Sequence, residues 1–231
     1  MTSSENLTVV VVHGAWADGS SWSEVIGPLV NKGLKVIAAP LPLTSLTDDA
    51  AALRRSLART EGPIILAGHA YAGAVIATTR EVRVRALVYI AGLAPAESET
   101  VAEVFYRDEP HALAPKLAPD EDGWIWMPED GFAKAFAHHA SPEQIAVAKA
   151  AQRPISIQSI QEKAPEPAWT SKPSWFLIAE EDRMINPKTQ YFMAERMRAQ
   201  IQALPVDHTP LLTASDSVVA MILAAAQSAM T

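Results

Sequence analysis

The stretch Pro63-Ile-Ile-Leu-Ala-Gly-His-Ala-Tyr-Ala-Gly73 carries most of the information about the fold. Its first five residues form a short apolar run, which is typical of a strand buried on both faces of a sheet. Gly68–Gly73 then predicts a tight turn, and a helix is expected to continue to about Arg80. Ligands of open α/β sheets bind beyond the carboxyl ends of the strands. The turn at 68–73 is therefore a candidate functional site.

Strands and helices alternate on both sides of this turn. Strands are predicted at Leu7–Val12, Leu34–Ala39, Pro63–Ala67, Arg85–Ala91, Ser174–Ala179 and Ile201–Leu204. Apolar residues at helical spacing predict helices between these runs, and a closing helix from Ser215. This alternation predicts one α/β domain in which a mostly parallel sheet of about six strands is flanked by helices.

The alternation is interrupted between residues 95 and 173. Ten of the 17 prolines fall here, which argues against a second parallel sheet. Helices are predicted within it at Asp130–His139 and Ser141–Gln152. We interpret residues 95–173 as a mainly helical cap inserted into a core formed by residues 1–94 and 174–231.

Composition and charge exclude several classes of protein. The chain has 231 residues, a net charge of −7 and a pI near 5.4, so no basic surface for nucleic acid is expected. It has no cysteine, which excludes thiol catalysis, disulfides and cysteine-ligated metals. Met1–Leu7 lacks the pattern of a signal peptide, and the apolar runs Val9–Val12 and Val218–Ala226 are too short to span a bilayer. A cytoplasmic protein without membrane association is expected.

Three other strand ends carry residues suited to catalysis. Asp182 follows the strand at 174–179, and His208 follows the last strand. His13-Gly14-Ala15 follows the first strand. Since carboxyl ends of parallel strands meet at one edge of a sheet, these segments are expected to converge on the turn at 68–73.

Together these motifs resemble the α/β-hydrolase superfamily. The turn is similar to its nucleophile elbow, Gly-x-Ser-x-Gly, and the chain order of nucleophile, acid and base is the order of that fold. The His-Gly-Ala-Trp opening and the Gly-His-x-Tyr turn are most similar to a small cap-bearing branch. That branch includes plant methylesterases, hydroxynitrile lyases and many uncharacterised bacterial hydrolases. The resemblance covers nearly the whole chain.

The resemblance implies a role for each matching residue. Ala70 occupies the nucleophile position, Asp182 that of the acid (with Glu180 and Glu181 as alternatives) and His208 that of the base. The backbone N–H groups of Ala15 and Tyr71 would form the oxyanion hole.

Aromatic and histidine residues are candidates for the pocket. Trp16, His69 and Trp126 are the candidate lining residues, although His69 could instead pack beneath the turn. Trp124 and Trp126 alternate, so they could form one face of a short cap strand.

Neither a metal nor another cofactor is indicated by the sequence. His111, His138 and His139 show no metal-like spacing and are interpreted as surface residues. No phosphate-binding glycine loop follows a strand. We therefore expect no cofactor, and the partner expected is a small, partly apolar organic substrate. The sequence leaves homodimer formation open.

The alanine at position 70 leaves the chemistry open. A serine could have been removed by deliberate substitution, or the natural protein could lack it; Ala72, where the family usually has glycine, favours the second explanation. Three functions are consistent with the residues. One is a hydrolase of esters or related acyl compounds. Another is a non-hydrolytic enzyme with His208 as general base, namely a lyase, decarboxylase or cofactor-free oxygenase. The third is a ligand-binding relative without catalysis.

Overall fold

A computed structural model describes residues 7–230, so the prediction about Met1–Leu7 falls almost entirely outside the described part. Within residues 7–230 the strands are β1 (Thr8–Val12), β2 (Lys35–Ala39), β3 (Ile64–His69), β4 (Val84–Ile90), β5 (Trp124–Ile125), β6 (Ile155–Ser156), β7 (Ser174–Ala179) and β8 (Gln200–Leu204). Six of them form one sheet in the order β2-β1-β3-β4-β7-β8, and every neighbouring pair is parallel. The prediction of a mostly parallel sheet of about six strands is confirmed.

The central strands are buried because both faces of the sheet are covered. β1, β3 and β7 are buried along their whole length, whereas the edge strands β2 and β8 expose residues such as Lys35 and Gln200. This burial explains why the central strands are continuous apolar runs instead of alternating apolar and polar residues.

Helices pack on both faces of the sheet. Those of residues 7–230 are α1 (Ser23–Asn31), α2 (Leu46–Leu57), α3 (Ala72–Ala77), α4 (Val101–Phe105), α5 (Pro142–Ala150), α6 (Ile157–Gln161), α7 (Pro187–Arg196), α8 (Pro210–Thr213) and α9 (Ser215–Ser228). α1, α8 and α9 contribute to the apolar core on one face. α2, α3, α7 and the cap contribute to the core on the other. No helix between residues 7 and 230 is long and apolar enough to cross a membrane.

The cap holds short helices and a small antiparallel sheet formed by β5 and β6. The predicted helix at Ser141–Gln152 is present as α5, which Ser141 and Gln144 cap reciprocally. The predicted helix at Asp130–His139 is instead a π-helical turn over Phe132–Phe136. Much of the segment at 106–123 is irregular, so the cap contains less helix than the sequence predicts.

Backbone hydrogen bonds fasten the cap to the core. The N–H of Trp16 donates to the carbonyl of Arg153 (3.1 Å), and the N–H of Ser156 donates to the carbonyl of Leu43 (2.9 Å). The side chain of Glu162 also accepts from the N–H of Thr47 at 3.0 Å. These bonds fasten the cap to the segments that follow β1 and β2, at the edge of the sheet where the site lies.

Candidate active site

The turn between β3 and α3 holds Ala70 in a strained conformation. Its φ is +49°, a left-handed value that L residues rarely adopt. The Ala70 N–H donates to the carbonyl of Ile90 (3.1 Å), and its own carbonyl accepts from the N–H of Leu93 (2.9 Å). A Cβ on Gly68 would lie 2.8 Å from the carbonyl oxygen of Ala72, so this position requires glycine. This strained strand-to-helix geometry is that of a nucleophile elbow.

His208 and Asp182 form a buried hydrogen-bonded pair. The Nδ1 atom of His208 lies 2.8 Å from Oδ2 of Asp182, and each residue is only 2 % exposed. The other carboxylate oxygen, Oδ1, accepts from the N–H groups of Met184 (2.7 Å) and Ile185 (2.9 Å). Asp182 is therefore the carboxylate that the structure places beside His208.

The alternatives Glu180 and Glu181 are occupied elsewhere. Glu180 accepts from the hydroxyl of Tyr191 (3.0 Å), and Glu181 lies 3.0 Å from Nε2 of His139. Both carboxylates are exposed. Neither is paired with His208.

Gln190 is a residue of the site that the sequence analysis missed. Its Nε2 donates to Oδ2 of Asp182 (2.8 Å) and to the carbonyl of Ile185 (3.0 Å), while its Oε1 accepts from the N–H of Ala179 (3.0 Å). Gln190 is fully buried on α7. Nothing in the sequence marks a helical glutamine as the second donor to this carboxylate oxygen.

The pairing with Asp182 determines which nitrogen of His208 can react. An ionised carboxylate only accepts hydrogen bonds, so Nδ1 of His208 carries the proton that points to Asp182. Nε2 is then the basic nitrogen of the ring, and His208 lines the same cavity as Ala70. This is the arrangement required of a general base.

Two backbone N–H groups near position 70 are the candidates for an oxyanion hole. Across the described part of the chain, neither the N–H of Ala15 nor that of Tyr71 has a hydrogen-bond acceptor. The loop after β1 approaches the elbow closely, since a Cβ on Gly14 would lie 3.2 Å from the Cβ of Ala70. Both N–H groups are therefore available to a ligand beside position 70.

His13 fixes this loop. Its Nδ1 donates to the carbonyl of Gly14 (2.9 Å), and its Nε2 accepts from the N–H of Leu41 (3.0 Å). Burial lowers the pKa of His13, which keeps the ring neutral and lets it act as donor and acceptor at once.

A cavity of about 60 Å³, counted as space that the centre of a water molecule can reach, opens beside Ala70. Its walls are almost entirely apolar, and His208 contributes an imidazole to them. They are formed by Ala15, Trp16, Ala70, Tyr71, Leu93, Val101, Ala102, Phe105, Tyr106, Leu117, Ile125, Phe136, Ile155, Ile160, Met184, Ile185 and His208. The core and the cap both contribute to these walls, so the cap completes the cavity.

The two tryptophans predicted to line the pocket have different positions. Trp16 is buried in the cavity wall, and its Nε1 donates to the carbonyl of Ile125 (2.9 Å). Trp126 lies outside the cavity and is 50 % exposed, which corrects the prediction. Burial alternates from the end of β5 into the residues that follow it, so Ile125 and Met127 are buried while Trp126 faces solvent.

His69 lies behind the elbow and not in this cavity. Its Nε2 donates to the backbone carbonyl of His208 (2.8 Å), and its Nδ1 is buried without a partner in the described structure. Burial lowers the pKa of His69 to about 3. His69 lines a separate cavity of about 280 Å³, which Trp16 and Phe136 divide from the first. It therefore supports the backbone of His208, in agreement with packing beneath the turn.

A buried carboxyl group also contacts the elbow. The hydroxyl of Tyr71 donates to Oδ2 of Asp49 (2.6 Å), and the N–H of Leu43 donates to Oδ1 (2.7 Å). Asp49 is fully buried, and burial raises its pKa to about 6. Nothing in the sequence indicates this contact, because Asp49 comes from α2 and Tyr71 from the elbow.

Of the two cap histidines interpreted as surface residues, His139 is exposed and His138 is partly buried. His138 and His139 lie beside Glu181, and one ligand atom from each falls within 4.8 Å of the others. Their spacing along the sequence did not indicate this cluster, because Glu181 comes from the core and the histidines from the cap. Among residues 7–230, this cluster is the one group of three residues whose side chains could hold a metal ion.

Comparison with known proteins agrees with this geometry. Residues 9–221 match a family model described as the alpha/beta hydrolase family. No curated protein sequence matches the chain.

Solved structures share the fold at low sequence identity. A pyrethroid hydrolase from Sphingobium faniae JZ-2 is 21% identical, with a TM-score of 0.83 over 96% of this chain and 98% of its own. The methylesterase MES16 from Arabidopsis is 16% identical, with a TM-score of 0.79 over 96% and 99%. A mutant of tomato methylketone synthase I is 18% identical, with a TM-score of 0.83 over 97% and 99%. The strained elbow, the buried histidine–aspartate pair and the family match agree: this chain belongs to the alpha/beta hydrolase family.

Proposed function

We propose that the protein hydrolyses esters or related acyl compounds of small, partly apolar molecules, with His208 activating a water molecule in place of a serine. The observation that carries this proposal is an intact His208–Asp182 pair whose histidine lines the same cavity as a methyl group at position 70. Four donors converge on the Asp182 carboxylate, which fixes the His208 ring for proton transfer.

The proposed reaction proceeds by direct attack of water. Nε2 of His208 takes a proton from the water while the water oxygen bonds to the acyl carbon. The carbonyl oxygen becomes an oxyanion, which the N–H groups of Ala15 and Tyr71 stabilise. When the intermediate collapses, the bond to the leaving oxygen breaks and His208 returns the proton to it. One ester and one water give one acid and one alcohol.

The residue at position 70 explains why no acyl-enzyme forms in the proposed reaction. An alanine offers no atom that can bond to the acyl carbon. Loss of the serine from a comparable triad costs about 10⁶ in kcat, and the oxyanion hole with substrate binding still supplies about 10³ to 10⁴ over water. We therefore expect slow hydrolysis that depends on His208.

The walls of the cavity support a small, partly apolar acyl substrate. Aliphatic and aromatic side chains from core and cap surround Ala70, and charged side chains do not line it. Such a pocket favours the apolar groups of a substrate. Relatives in fold include proteins named as a pyrethroid hydrolase and a methylesterase, which is consistent with ester substrates.

A second candidate is a non-hydrolytic reaction, such as decarboxylation or a retro-aldol-type cleavage. It is favoured by the missing hydroxyl at position 70 in a site that keeps a base and two N–H donors. The same donors would stabilise an enolate oxygen, and His208 would transfer the proton. One relative in fold is named as a methylketone synthase.

A ligand-binding protein without catalysis is the third candidate. The buried Asp182 with its four donors argues against it, because a binding site has no need to orient a base so completely.

The direct test compares the protein with His208→Gln and Asp182→Asn on short p-nitrophenyl esters, with His111→Asn as control. We expect hydrolysis to fall at least about 10²-fold in the first two variants and to be unchanged in the control. Mass spectrometry of the quenched reaction should show no acyl adduct on the chain. Equal rates in the protein and in His208→Gln would refute the proposal.

The other candidates give different outcomes. Turnover of a β-keto acid that depends on His208, without ester hydrolysis, would establish the second candidate. Ligand binding with neither activity would establish the third.

A further inference from the structure

We propose that His138, His139 and Glu181 form a binding site for one divalent transition-metal ion of the zinc class, which ties the cap to the core. His138 and His139 follow the π-helical turn of the cap, and Glu181 follows β7 in the core. A metal held by all three would cross-link the two parts beside Asp182.

The ligand atoms are close enough to share one ion. Nε2 of His139 lies 3.0 Å from Oε2 of Glu181, and all three ligand atoms lie within 4.8 Å of one another. Ligand atoms of a tetrahedral zinc ion are roughly 3.3 Å apart, given metal–ligand distances near 2.0–2.1 Å. Small side-chain rotations suffice to bring the group to that geometry.

His138 provides the second, independent observation. Both of its ring nitrogens are buried and have no hydrogen-bond partner in the described structure. Its ring meets that of His139 edge to face, with centroids 4.4 Å apart. Leaving a buried nitrogen unpaired costs free energy. A metal ion bound to one ring nitrogen would recover that cost for this atom, and the other nitrogen would carry the ring N–H near the carbonyl of Ala135.

The backbone around the group is held in place. The N–H of His139 donates to Oδ2 of Asp207 (2.9 Å), and the hydroxyl of Thr209 donates to the carbonyl of Phe136. The acceptor Asp207 and the donor Thr209 are the residues on either side of His208 in the sequence. The cap segment that carries the two histidines is thus already anchored at the catalytic base, and a metal would bind a largely preformed site.

The chemistry of the group suits zinc. Two imidazoles and one carboxylate are ligands that zinc accepts readily, and three protein ligands leave a fourth position for water. The side chains of His139 and Glu181 are 38 % and 48 % exposed, so an ion can reach them from solvent. The charge of Glu181 and nearby Asp207 favours a cation, while Arg183 opposes it.

Zinc titration of tag-free protein, first freed of metals with a chelator, tests the proposal. We expect one equivalent of Zn²⁺ to bind and to raise the melting temperature, and Co²⁺ to give the visible absorption of a low-coordinate site. His138→Asn, His139→Asn and Glu181→Gln should each weaken zinc binding at least about 10-fold. The controls His111→Asn and Glu180→Gln should bind zinc as the parent does.

The design separates this site from the catalytic one. The three variants change exposed or half-buried side chains, and circular dichroism checks that each is folded. Zinc affinity that is equal in the parent and in the Glu181→Gln/His139→Asn double variant would overturn the proposal, as would absence of binding at 100-fold molar excess of Zn²⁺. Because the readout is binding, neither result depends on the proposed hydrolysis.

Discussion

At position 70 a methyl group occupies the most constrained point of the site. Its backbone is held at φ +49° by hydrogen bonds to Ile90 and Leu93, so the strain does not depend on a side-chain hydroxyl. An elbow held in this shape beside the His208–Asp182 pair positions whatever group occupies the cavity. Because alanine has no hydroxyl, we propose that the reacting nucleophile is a water molecule and not a residue of the chain.

Gln190 should be essential for orienting Asp182. Replacing Gln190 with Leu leaves the N–H of Ala179 and the carbonyl of Ile185 without their buried partners, at about 1–3 kcal/mol each. We expect the free energy of unfolding to fall by about 2–4 kcal/mol and the His208-dependent activity to fall with it.

Urea unfolding of Gln190→Leu measures this effect, with Tyr191→Phe as the matched control on the same helix. Tyr191 only donates to the exposed Glu180, so its change should stay within about 0.5 kcal/mol. Equal stability of the two variants would contradict the role assigned to Gln190.

Asp49 should make stability depend on pH in an unusual direction. Burial raises its pKa from 3.8 to about 6, so the folded protein holds this proton more tightly than the unfolded chain does. The stabilising contribution is therefore complete below about pH 4 and is lost as pH rises through about 6. It amounts to at most about 3 kcal/mol, at roughly 1.4 kcal/mol per pKa unit.

Asp49→Asn removes this contribution. We expect the unfolding free energy of the parent, relative to Asp49→Asn, to decrease between about pH 4 and pH 7 in urea denaturation. Asp48→Asn is the control, because hydrogen bonds from Thr44 and Ser45 lower the pKa of exposed Asp48 and give the opposite sign. A difference between parent and Asp49→Asn that is constant with pH would show that Asp49 titrates normally.

At the scale of elements, the close approach of β3 and α3 makes Gly68 irreplaceable. An alanine there would put its Cβ 2.8 Å from the Ala72 carbonyl oxygen, which is backbone and cannot rotate away. We expect Gly68→Ala to destabilise the protein by about 1–3 kcal/mol and to displace Ala70.

Thermal or urea unfolding of Gly68→Ala against Gly27→Ala provides the comparison. Gly27 lies on the exposed side of α1, and outside its chain neighbours nothing lies within 4 Å of a new Cβ, so alanine there should change the stability by no more than about 0.5 kcal/mol. If Gly68→Ala destabilised the protein no more than Gly27→Ala, the packing argument for Gly68 would fail.

The sequence predicts the core elements better than the cap. The core strands keep within about two residues of their predicted bounds, because burial on both faces leaves a continuous apolar run. The cap has no such signal: Asp130–His139 has the apolar spacing of a helix but folds as a π-helical turn. There, contacts with the core determine the local backbone, and Trp126 faces solvent for the same reason.

At the scale of the whole molecule, the arrangement of the candidate site follows from topology. Parallel strands end at one edge of the sheet, so the loops after β1, β3, β7 and β8 must meet there. This allows Ala15, Ala70, Asp182 and His208 to be anticipated from their places after strands. The roles of Gln190 and of the cluster of His138, His139 and Glu181 could not be anticipated from the sequence. Their positions depend on how a helix and an irregular cap pack.

The central claim is that this chain carries a hydrolase site complete except for its nucleophile. The most direct measurement treats the parent and Ala70→Ser with a serine-reactive fluorophosphonate and follows labelling by mass, together with hydrolysis of p-nitrophenyl esters. We expect Ala70→Ser to gain one label and faster turnover, the parent to remain unlabelled, and Ala70→Ser/His208→Gln to lose both gains. A folded Ala70→Ser protein that gains neither label nor turnover would contradict the claim.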